Sequence, residues 1–324
     1  MKPVVATVIG DPAGVGPEVC VKALATGEPQ QLGRHVLIGS ARQIEHAIEL
    51  CGLDLAVRTI SSATEAIDDV KVVNLLCPEQ DISTRFAFGQ ISADAAQAAL
   101  RWLRMGIDLA ESGQVAGLVM GPFDSSALKL AGYAMDGSEF EPAGTWQFRI
   151  GGGLRVVPIT EHVRLRDVAS HVTTDNIIAL LRVLNDSLRK WGIARPRIGV
   201  AGLNPHAMFE EERQEITPAI AAATAAGIDA IGPISPDVIF RQGIDGEYDA
   251  IITMYHDQGQ IAIKTVAFDR SCTVFLGLPY IRIGIPHGSA MDIAGTGQVL
   301  AGSTTAAMTT LGALAARQFE LASV

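Results

Sequence analysis

The sequence predicts an α/β protein built mainly on parallel β-sheet. Short β-branched runs alternate with helical patterns along almost the whole chain, as in a parallel sheet covered by helices on both faces. The 324 residues are 48% hydrophobic and 19% charged, which is enough apolar material to bury a large core. At roughly 150 residues per domain, this length predicts two domains or one large α/β unit.

Runs of Val, Ile and Leu predict the strands, and the first of them ends at the turn formed by Gly10, Asp11 and Pro12. In chain order the predicted strands are Val4–Ile9, His35–Ile38, Val70–Leu75, Gly117–Met120, Leu154–Ile159, Arg197–Ala201, Ala250–Met254 and Cys272–Phe275.

Helical periodicity predicts helices between these strands, and the first has Pro17 and Glu18 in the positions that a helix start favours. In chain order the predicted helices are Gly16–Ala25, Ala41–Cys51, Ser92–Glu111, Asp175–Trp191, Thr217–Ala226 and Thr304–Phe319. The segment Ile293–Ala316 has 24 uncharged residues, but its Gly, Ser and Thr content favours a buried helix over a membrane span.

Composition excludes several function classes. The chain has 25 basic and 35 acidic residues, a formal net charge of −10, which argues against nucleic acid or an anionic membrane surface as a partner. The four cysteines are far apart, which indicates reduced thiols and a cytoplasmic protein. The apolar N-terminal run is too short for a signal peptide.

Three histidines share one context, because each follows the carboxyl end of a predicted strand. They are His162, His206 and His256. The carboxyl ends of parallel strands meet at the ligand crevice of an α/β protein, so we expect these imidazoles to bind a catalytic divalent metal together. A hydrogen-bonded loop histidine is the alternative for each one. His35, His46 and His171 are interpreted as structural.

The glycine-rich segment Gly10–Glu18 follows the first strand and opens a helix, where backbone N–H groups can meet an anionic ligand. Its predicted cofactor-binding residues are Gly10, Asp11 and Gly14. A tight turn that binds nothing would also use Gly and Pro, and the spacing is not that of a Rossmann fingerprint.

The loop His287–Gly297 is the second predicted cofactor segment, because its residue types can stack on an adenine and hydrogen-bond a ribose. Its predicted binding residues are His287, Gly288, Ser289, Ala290 and Asp292. A capped turn is the alternative. Elsewhere, Lys264 either binds a substrate anion or moves protons, or it is an ordinary surface lysine. Asp237 either binds a substrate hydroxyl or caps a helix.

Several segments, taken together, resemble the 4-hydroxythreonine-4-phosphate dehydrogenase (PdxA-type) family. They are Gly10–Glu18, Thr160–Asp167, Gly202–Ala207, Tyr255–Gly259 and Gly277–Arg282, and they occur in the family's order. The His287–Gly297 loop is similar to the adenosine loop of the isopropylmalate and isocitrate dehydrogenases, whose fold the family shares.

The resemblance implies a homodimer of two-domain α/β subunits with mainly parallel sheets and an interdomain cleft. Glycines between Gly132 and Gly153 suggest a domain crossing, so we predict a nucleotide-associated domain of residues 1–130 plus 288–324 and a metal, substrate and dimerisation domain of residues 131–287. The resemblance also implies a divalent ion, most often zinc, on the three histidines, with His206 or its neighbours reaching across the dimer.

The implied reaction uses NAD or NADP to oxidise a secondary alcohol of a small hydroxy acid, and the β-keto acid product then loses CO2. The resemblance assigns catalytic roles to Lys264, Asp237 and Asp257. It assigns substrate binding to Lys264, Arg282, Thr273 and to Gly137 and Ser138, which lie near the cleft entry.

Three departures from the family pattern bear on the substrate. Gly137 stands where the family has a histidine, Thr273 where it has an asparagine, and Ser125 where it has a lysine. Because a phosphate dianion needs charge-assisted donors, the sequence favours a cis-dihydrodiol carboxylate of the terephthalate type. A 4-hydroxythreonine-4-phosphate dehydrogenase or a related phosphorylated sugar-acid dehydrogenase is the alternative.

Two other function classes remain open from sequence. A three-histidine zinc hydrolase would use the same imidazoles but not the His287–Gly297 loop. A nucleotide-binding protein without catalysis would use the loop but not the metal.

Overall fold

The computed structural model describes residues 1–81, 86–133 and 143–322. The chain divides into two compact units, and it crosses between them more than once. Unit 1 consists of Met1–Ala143 and Leu278–Ala316, and unit 2 consists of Gly144–Gly277 and Arg317–Val324. The predicted domain ranges differ from these units, because unit 1 takes its second segment from Leu278 onward and ends it at Ala316.

The described residues of unit 1 form six strands that are all parallel, in the order β3-β4-β2-β1-β5-β12. The strands are β1 (Val4–Val8), β2 (Arg34–Ile38), β3 (Ala56–Thr59), β4 (Val72–Leu76), β5 (Gly117–Met120) and β12 (Ile281–Gly284). The helices are α1 (Gly16–Ala25), α2 (Glu28–Leu32), α3 (Ala41–Leu50), α4 (Ala93–Glu111), α5 (Ser125–Leu130) and α10 (Gly302–Ala315).

The two central features of unit 1 follow from residue type. Strand β1 is buried along most of its length, since its Val and Ala side chains pack on both faces of the sheet. Helix α10 is buried over almost its whole surface, because its Ala, Gly, Ser and Thr side chains are small enough for close packing. Within the described residues, no helix combines the length and apolar character needed to cross a membrane.

Unit 2 contains six strands in the order β11-β6-β7-β10-β8-β9, of which β6 runs antiparallel to both β11 and β7. The strands are β6 (Trp146–Gly151), β7 (Leu154–Thr160), β8 (Arg197–Ala201), β9 (Asp229–Ile234), β10 (Ala250–Tyr255) and β11 (Cys272–Leu276). The helices are α6 (Thr174–Lys190), α7 (Thr217–Ala225), α8 (Ile239–Ile244) and α9 (His256–Val266).

The chain after α10 returns to the core of unit 2. Phe319 is only 2% exposed, and its ring stacks on Phe148 and Trp191 with centroid distances of 6.4 and 6.0 Å. The Arg155 guanidinium lies 4.5 Å from the centre of the Phe319 ring, in cation–π contact. The segment 317–322 is therefore an integral part of unit 2.

The predicted α/β class with mainly parallel sheet is confirmed. Every predicted strand and helix is present, with small shifts at the ends. The sequence missed β3, β6, β9 and β12 and the helices α2, α5, α8 and α9. The buried helix predicted within Ile293–Ala316 is confirmed as α10, which ends at Ala315, before Phe319.

Candidate functional site

His162 and His256 meet at the carboxyl ends of two neighbouring strands in unit 2. Strands β7 and β10 are parallel, and their register pairs Thr160 with Tyr255. His162 lies two residues beyond Thr160, and His256 directly follows Tyr255 as the first residue of α9. The two imidazole rings have centroids 5.5 Å apart. The predicted convergence is thus present for these two histidines.

Glu161 completes a group of three side chains that could hold a metal ion. One ligand atom from each of Glu161, His162 and His256 lies within 4.8 Å of the others. Among the described residues, this is the group of His, Cys, Asp or Glu side chains that is close enough to hold a metal ion. In a tetrahedral site with bonds of about 2.1 Å the ligand atoms are about 3.4 Å apart, so the side chains would have to move together by about 1 Å to bind an ion. Imidazole and carboxylate are both ordinary ligands of divalent metals.

A cavity of about 540 Å³ opens on these three side chains. Val163, Leu165 and Val168 supply an apolar part of its wall. A cavity with convergent polar groups on one side and apolar residues on the other is typical of a small-molecule site.

Asp257 contacts His256 through one of the two ring nitrogens. The Asp257 carboxylate lies 2.6 Å from His256 Nδ1, which leaves Nε2 for an ion. Carboxylates commonly orient metal-binding histidines in this way. Asp257, predicted as catalytic, is therefore placed as the partner of His256.

Arg149 holds Glu161, and sequence reasoning missed both residues. The guanidinium donates to Glu161 Oε1 at 3.0 Å and to Oε2 at 2.7 Å. Glu161 could have been found from its position directly before His162. Arg149 gave no local signal, because its approach to Glu161 depends on the pairing of β6 with β7.

Lys264 and Thr273 lie close to the same arginine. Burial lowers the pKa of Lys264, and the positive charge of Arg149 lowers it further. The Lys264 ammonium also lies 5.2 Å from the centre of the Phe268 ring. Thr273 on β11 is the register partner of Arg149 on β6. Lys264 and Thr273, both predicted to bind substrate, therefore lie near Arg149, which in turn binds Glu161 of the metal group.

His206 does not join the metal group in the chain described here. It lies in a short turn, Pro205–Ala207, with its backbone in the left-handed region at φ 57°. The buried Glu212 carboxylate fixes this loop by accepting hydrogen bonds from the backbone N–H groups of Leu203 and Phe209, at 2.8 and 2.9 Å. The participation of His206 therefore stays a prediction.

Asp237 lies in another part of unit 2 and is exposed. A hydrogen bond from the Ser235 hydroxyl lowers the pKa of Asp237, and the charge of His206 acts in the same direction. The helix-capping alternative is not seen, because α8 begins at Ile239 without a side-chain cap. The substrate role of Asp237 stays a prediction.

The two predicted cofactor segments meet in unit 1. The Val15 amide donates to the Ser289 carbonyl oxygen at 2.9 Å, and the Ser289 hydroxyl donates to Asp124 at 3.0 Å. Gly14 is required at this contact, since a Cβ atom there would lie 2.7 Å from Ser289. Residues 10–16 and 287–292 are therefore in direct contact.

Two polar atoms of these segments are buried without a hydrogen-bond partner among the described residues: Asp11 Oδ2 and His287 Nε2. Buried polar atoms are rarely left unpaired in folded proteins. Nothing lies within 4 Å of the position that a Cβ atom of Gly288 would occupy. Unpaired polar groups in these segments are compatible with the binding of a polar ligand such as a nucleotide.

The remaining predicted residues of this loop differ in accessibility. Asp292 and Gly288 are exposed, and Ala290 has a left-handed backbone with φ 42°.

The other predicted substrate residues lie outside this loop. Arg282, on β12, is buried and contacts Met120 Sδ at 3.2 Å, and burial lowers the pKa of Arg282. Gly137 and Ser138 lie outside the described residues.

Glu18 and Lys22 of α1 form a clamp on the loop that follows residue 292. The fully buried Glu18 carboxylate accepts hydrogen bonds from the backbone N–H groups of Gly295 and Gly297, at 2.7 and 2.8 Å. The Lys22 ammonium donates to the carbonyl oxygens of Gly297 and Val299, at 2.6 and 2.9 Å. The clamp fixes the backbone next to the predicted nucleotide segment.

Burial raises the pKa of Asp11 to about 6, and the negative charge of Asp124 raises it as well, against hydrogen bonds from the Ala13 and Gly14 amides. Because the folded-state pKa lies above the ordinary value of 3.8, this group stabilises the fold below about pH 4. That contribution is lost as the pH rises to about 6.

We expect Asp11→Asn to raise the free energy of unfolding at pH 8 by about 1–3 kcal/mol, because no ionised carboxylate then has to be buried. At pH 4 the variant and the parent should be equally stable. Urea unfolding from pH 4 to pH 8 measures both. A difference in stability between Asp11→Asn and the parent that stays the same from pH 4 to pH 8 would contradict the assignment.

Comparison with known proteins finds one matching family and several relatives that cover almost the whole chain. The family described as "Pyridoxal phosphate biosynthetic protein PdxA" matches residues 31–311. A candidate 4-hydroxythreonine-4-phosphate dehydrogenase of Novosphingobium aromaticivorans is 40% identical over 323 residues, 99% of this chain and 98% of that protein. A candidate D-threonate 4-phosphate dehydrogenase of Symbiobacterium thermophilum is 35% identical over 315 residues, 93% of each protein.

Among solved structures, a dehydrogenase named for a phosphorylated substrate is more similar to this chain than one named for a dihydrodiol. A 4-hydroxythreonine-4-phosphate dehydrogenase of Burkholderia phymatum superposes with a TM-score of 0.86 at 32% identity, covering 97% of this chain and 98% of that one. A terephthalate 1,2-cis-dihydrodiol dehydrogenase of Burkholderia xenovorans has a TM-score of 0.69 at 26% identity, with coverage of 97% and 98%.

Proposed function

The chain belongs to the PdxA family, and from that premise we propose that it is a dehydrogenase of a small phosphorylated hydroxy acid, dependent on a divalent metal and on NAD or NADP. The substrate class is that of 4-hydroxythreonine-4-phosphate and D-threonate 4-phosphate, the compounds named for its relatives. The observation that carries the proposal is the convergence of Glu161, His162 and His256 on one cavity.

This substrate class replaces the terephthalate-type dihydrodiol carboxylate that the sequence favoured. That expectation is not supported, because the phosphate-named relatives are more similar in sequence and in structure. It rested on cationic groups missing at Gly137 and Ser125.

Each part of the proposed site has a chemical task. A divalent ion on the histidines would polarise the hydroxyl that is oxidised and the carbonyl that results. NAD or NADP would take the hydride. Asp257 orients His256, and Lys264 offers a positive charge to the substrate's anionic group. Residues 10–16 and 287–292 would hold the nucleotide. Loss of CO2 from the oxidised acid, zinc as the native ion, a homodimer and a cytoplasmic location complete the proposal.

A side-by-side assay tests the substrate class. We expect 4-hydroxythreonine-4-phosphate or D-threonate 4-phosphate to generate NADH or NADPH, and a chelator to abolish the signal. A cis-dihydrodiol carboxylate serves as the comparison substrate. Preference for the dihydrodiol would contradict the substrate class, and turnover that ignores the chelator would contradict the metal. Product formation without any nucleotide would favour the zinc hydrolase instead.

A further inference from the structure

The Arg149–Glu161 ion pair lies directly beside the two converging histidines. Arg149 is only 5% exposed, and its guanidinium also donates to the backbone oxygen of Gln147 at 3.2 Å and to the Gln147 side-chain oxygen at 3.1 Å. With two partners on its own strand, the guanidinium has a fixed orientation. The Glu161 carboxylate, bound through both oxygens, is therefore fixed as well.

A carboxylate fixed at this place has two interpretations. In the first, Glu161 does no more than neutralise a buried arginine, since an unpaired buried charge is costly. In the second, it also faces the position where His162 and His256 converge. The second interpretation has geometric support, because a carboxylate oxygen of Glu161 lies within 4.8 Å of a nitrogen of each imidazole.

Charge and lone pairs also favour the second interpretation. Each carboxylate oxygen has two acceptor positions, so an oxygen that accepts from Arg149 can still bind a cation. Two neutral imidazoles offset none of the charge of a divalent ion, whereas a carboxylate offsets part of it. Arg149 keeps the carboxylate pointing at the same place whether or not an ion is bound.

We propose that Glu161 is a ligand of the divalent ion, so that one chain supplies a carboxylate and two imidazoles, and that Arg149 is the positioning residue for Glu161. This inference rests on the proposed function only in that both require a divalent ion. Two histidines and a carboxylate hold the ion before any contribution from His206, and the remaining coordination positions stay open for substrate.

Binding of Co²⁺ to the full-length protein tests the proposal without substrate or nucleotide. The visible absorption of Co²⁺ reports its ligands, and titration gives its dissociation constant. We expect Glu161→Gln to weaken binding by roughly 10-fold to 100-fold and to change the spectrum. Glu161→Asp, which keeps the charge on a shorter side chain, should recover part of the affinity. Glu247→Gln, at an exposed glutamate of the same unit, is the matched control and should bind Co²⁺ like the parent.

Arg149 is tested through its dependence on Glu161. Arg149→Lys keeps the charge but loses the two-point contact, so we expect several-fold weaker binding. The double variant with Glu161→Gln should bind no more weakly than Glu161→Gln alone. Additive losses would overturn the positioning role. If Arg149→Lys does not fold, as judged by circular dichroism, Glu161→Asp decides whether carboxylate placement matters, and parent-like affinity there overturns that role.

Failure of this inference is distinguishable from failure of the proposed function. If the parent binds Co²⁺ and Glu161→Gln binds it with the same affinity and spectrum, Glu161 is not a ligand, and the dehydrogenase proposal stands. If the parent binds no Co²⁺ and its activity ignores a chelator, the metal requirement itself is wrong.

Discussion

Replacing His256 with alanine is expected to lower kcat/KM of the dehydrogenase by roughly a thousandfold or more. The Lewis acid contribution of a metal to a transition state is several kcal/mol, and each 1.36 kcal/mol corresponds to a factor of ten. His256 is the side chain whose orientation is fixed twice, by its position as the first residue of α9 and by the Asp257 carboxylate at 2.6 Å. Its loss removes one of the two histidines that converge in one chain, and the remaining ligands of that chain, His162 and the proposed Glu161, are too few for tight binding of an ion.

Steady-state kinetics and the bound-metal content of the purified variant measure this effect together. His171→Ala is the matched control, because His171 is an exposed histidine of the same unit, outside the metal group. It should retain parent-like activity and metal content. A His256→Ala protein that keeps its metal and more than a tenth of the activity would show that the ion does not depend on this cluster.

The second large effect is expected at Glu18, whose carboxylate accepts two backbone N–H groups while fully buried. Glu18→Gln supplies one acceptor oxygen and turns an NH2 group toward the other N–H, so two donors face each other. We expect a loss of about 2–3 kcal/mol in the free energy of unfolding, since a charge-assisted hydrogen bond is lost and a buried donor is left unpaired.

The same substitution should act on nucleotide binding, because the clamp holds the backbone beside residues 287–292. We expect KM for NAD or NADP to rise about tenfold or more, with a much smaller change in kcat. Chemical denaturation and nucleotide-dependent kinetics measure the two effects. Glu49→Gln, at an exposed position of α3, is the control. An unchanged nucleotide KM in a destabilised Glu18→Gln protein would restrict the clamp to a structural role.

Residue patterns were sufficient for most of the buried parallel strands, although they missed β12, and they failed for the atypical ones. Strand β9 contains Gly232 and Pro233, which argue against a strand, yet it lies at the edge of its sheet, where a missing N–H is tolerated. Strand β6 carries the polar residues Gln147 and Arg149. The Arg149 side chain binds both Gln147 and Glu161. Helix α9 was missed because Gly259 and its polar first turn look like a loop.

The candidate site shows the same division. The proximity of His162 and His256 could be predicted from the sequence, because the carboxyl ends of parallel strands share one edge of the sheet. Strand β7 is next to β10 in the structure. His206 follows β8, which also pairs with β10, but the hydrogen bonds from Leu203 and Phe209 to Glu212 set the course of its loop. Such a network of side-chain to backbone bonds has no sequence signature, and neither does the approach of Arg149 to Glu161.

Segment 317–322 has a consequence for how the polypeptide is made. The stacked rings of Phe148 and Trp191 are in place early in translation, but Phe319 is added more than a hundred residues later. Until the ribosome has released that stretch, these two rings lack their contact with Phe319, and nascent chains with exposed apolar surface are prone to associate. Stalled or prematurely terminated products that stop before Phe319 should therefore need chaperones to stay dispersed, whereas the finished polypeptide should not.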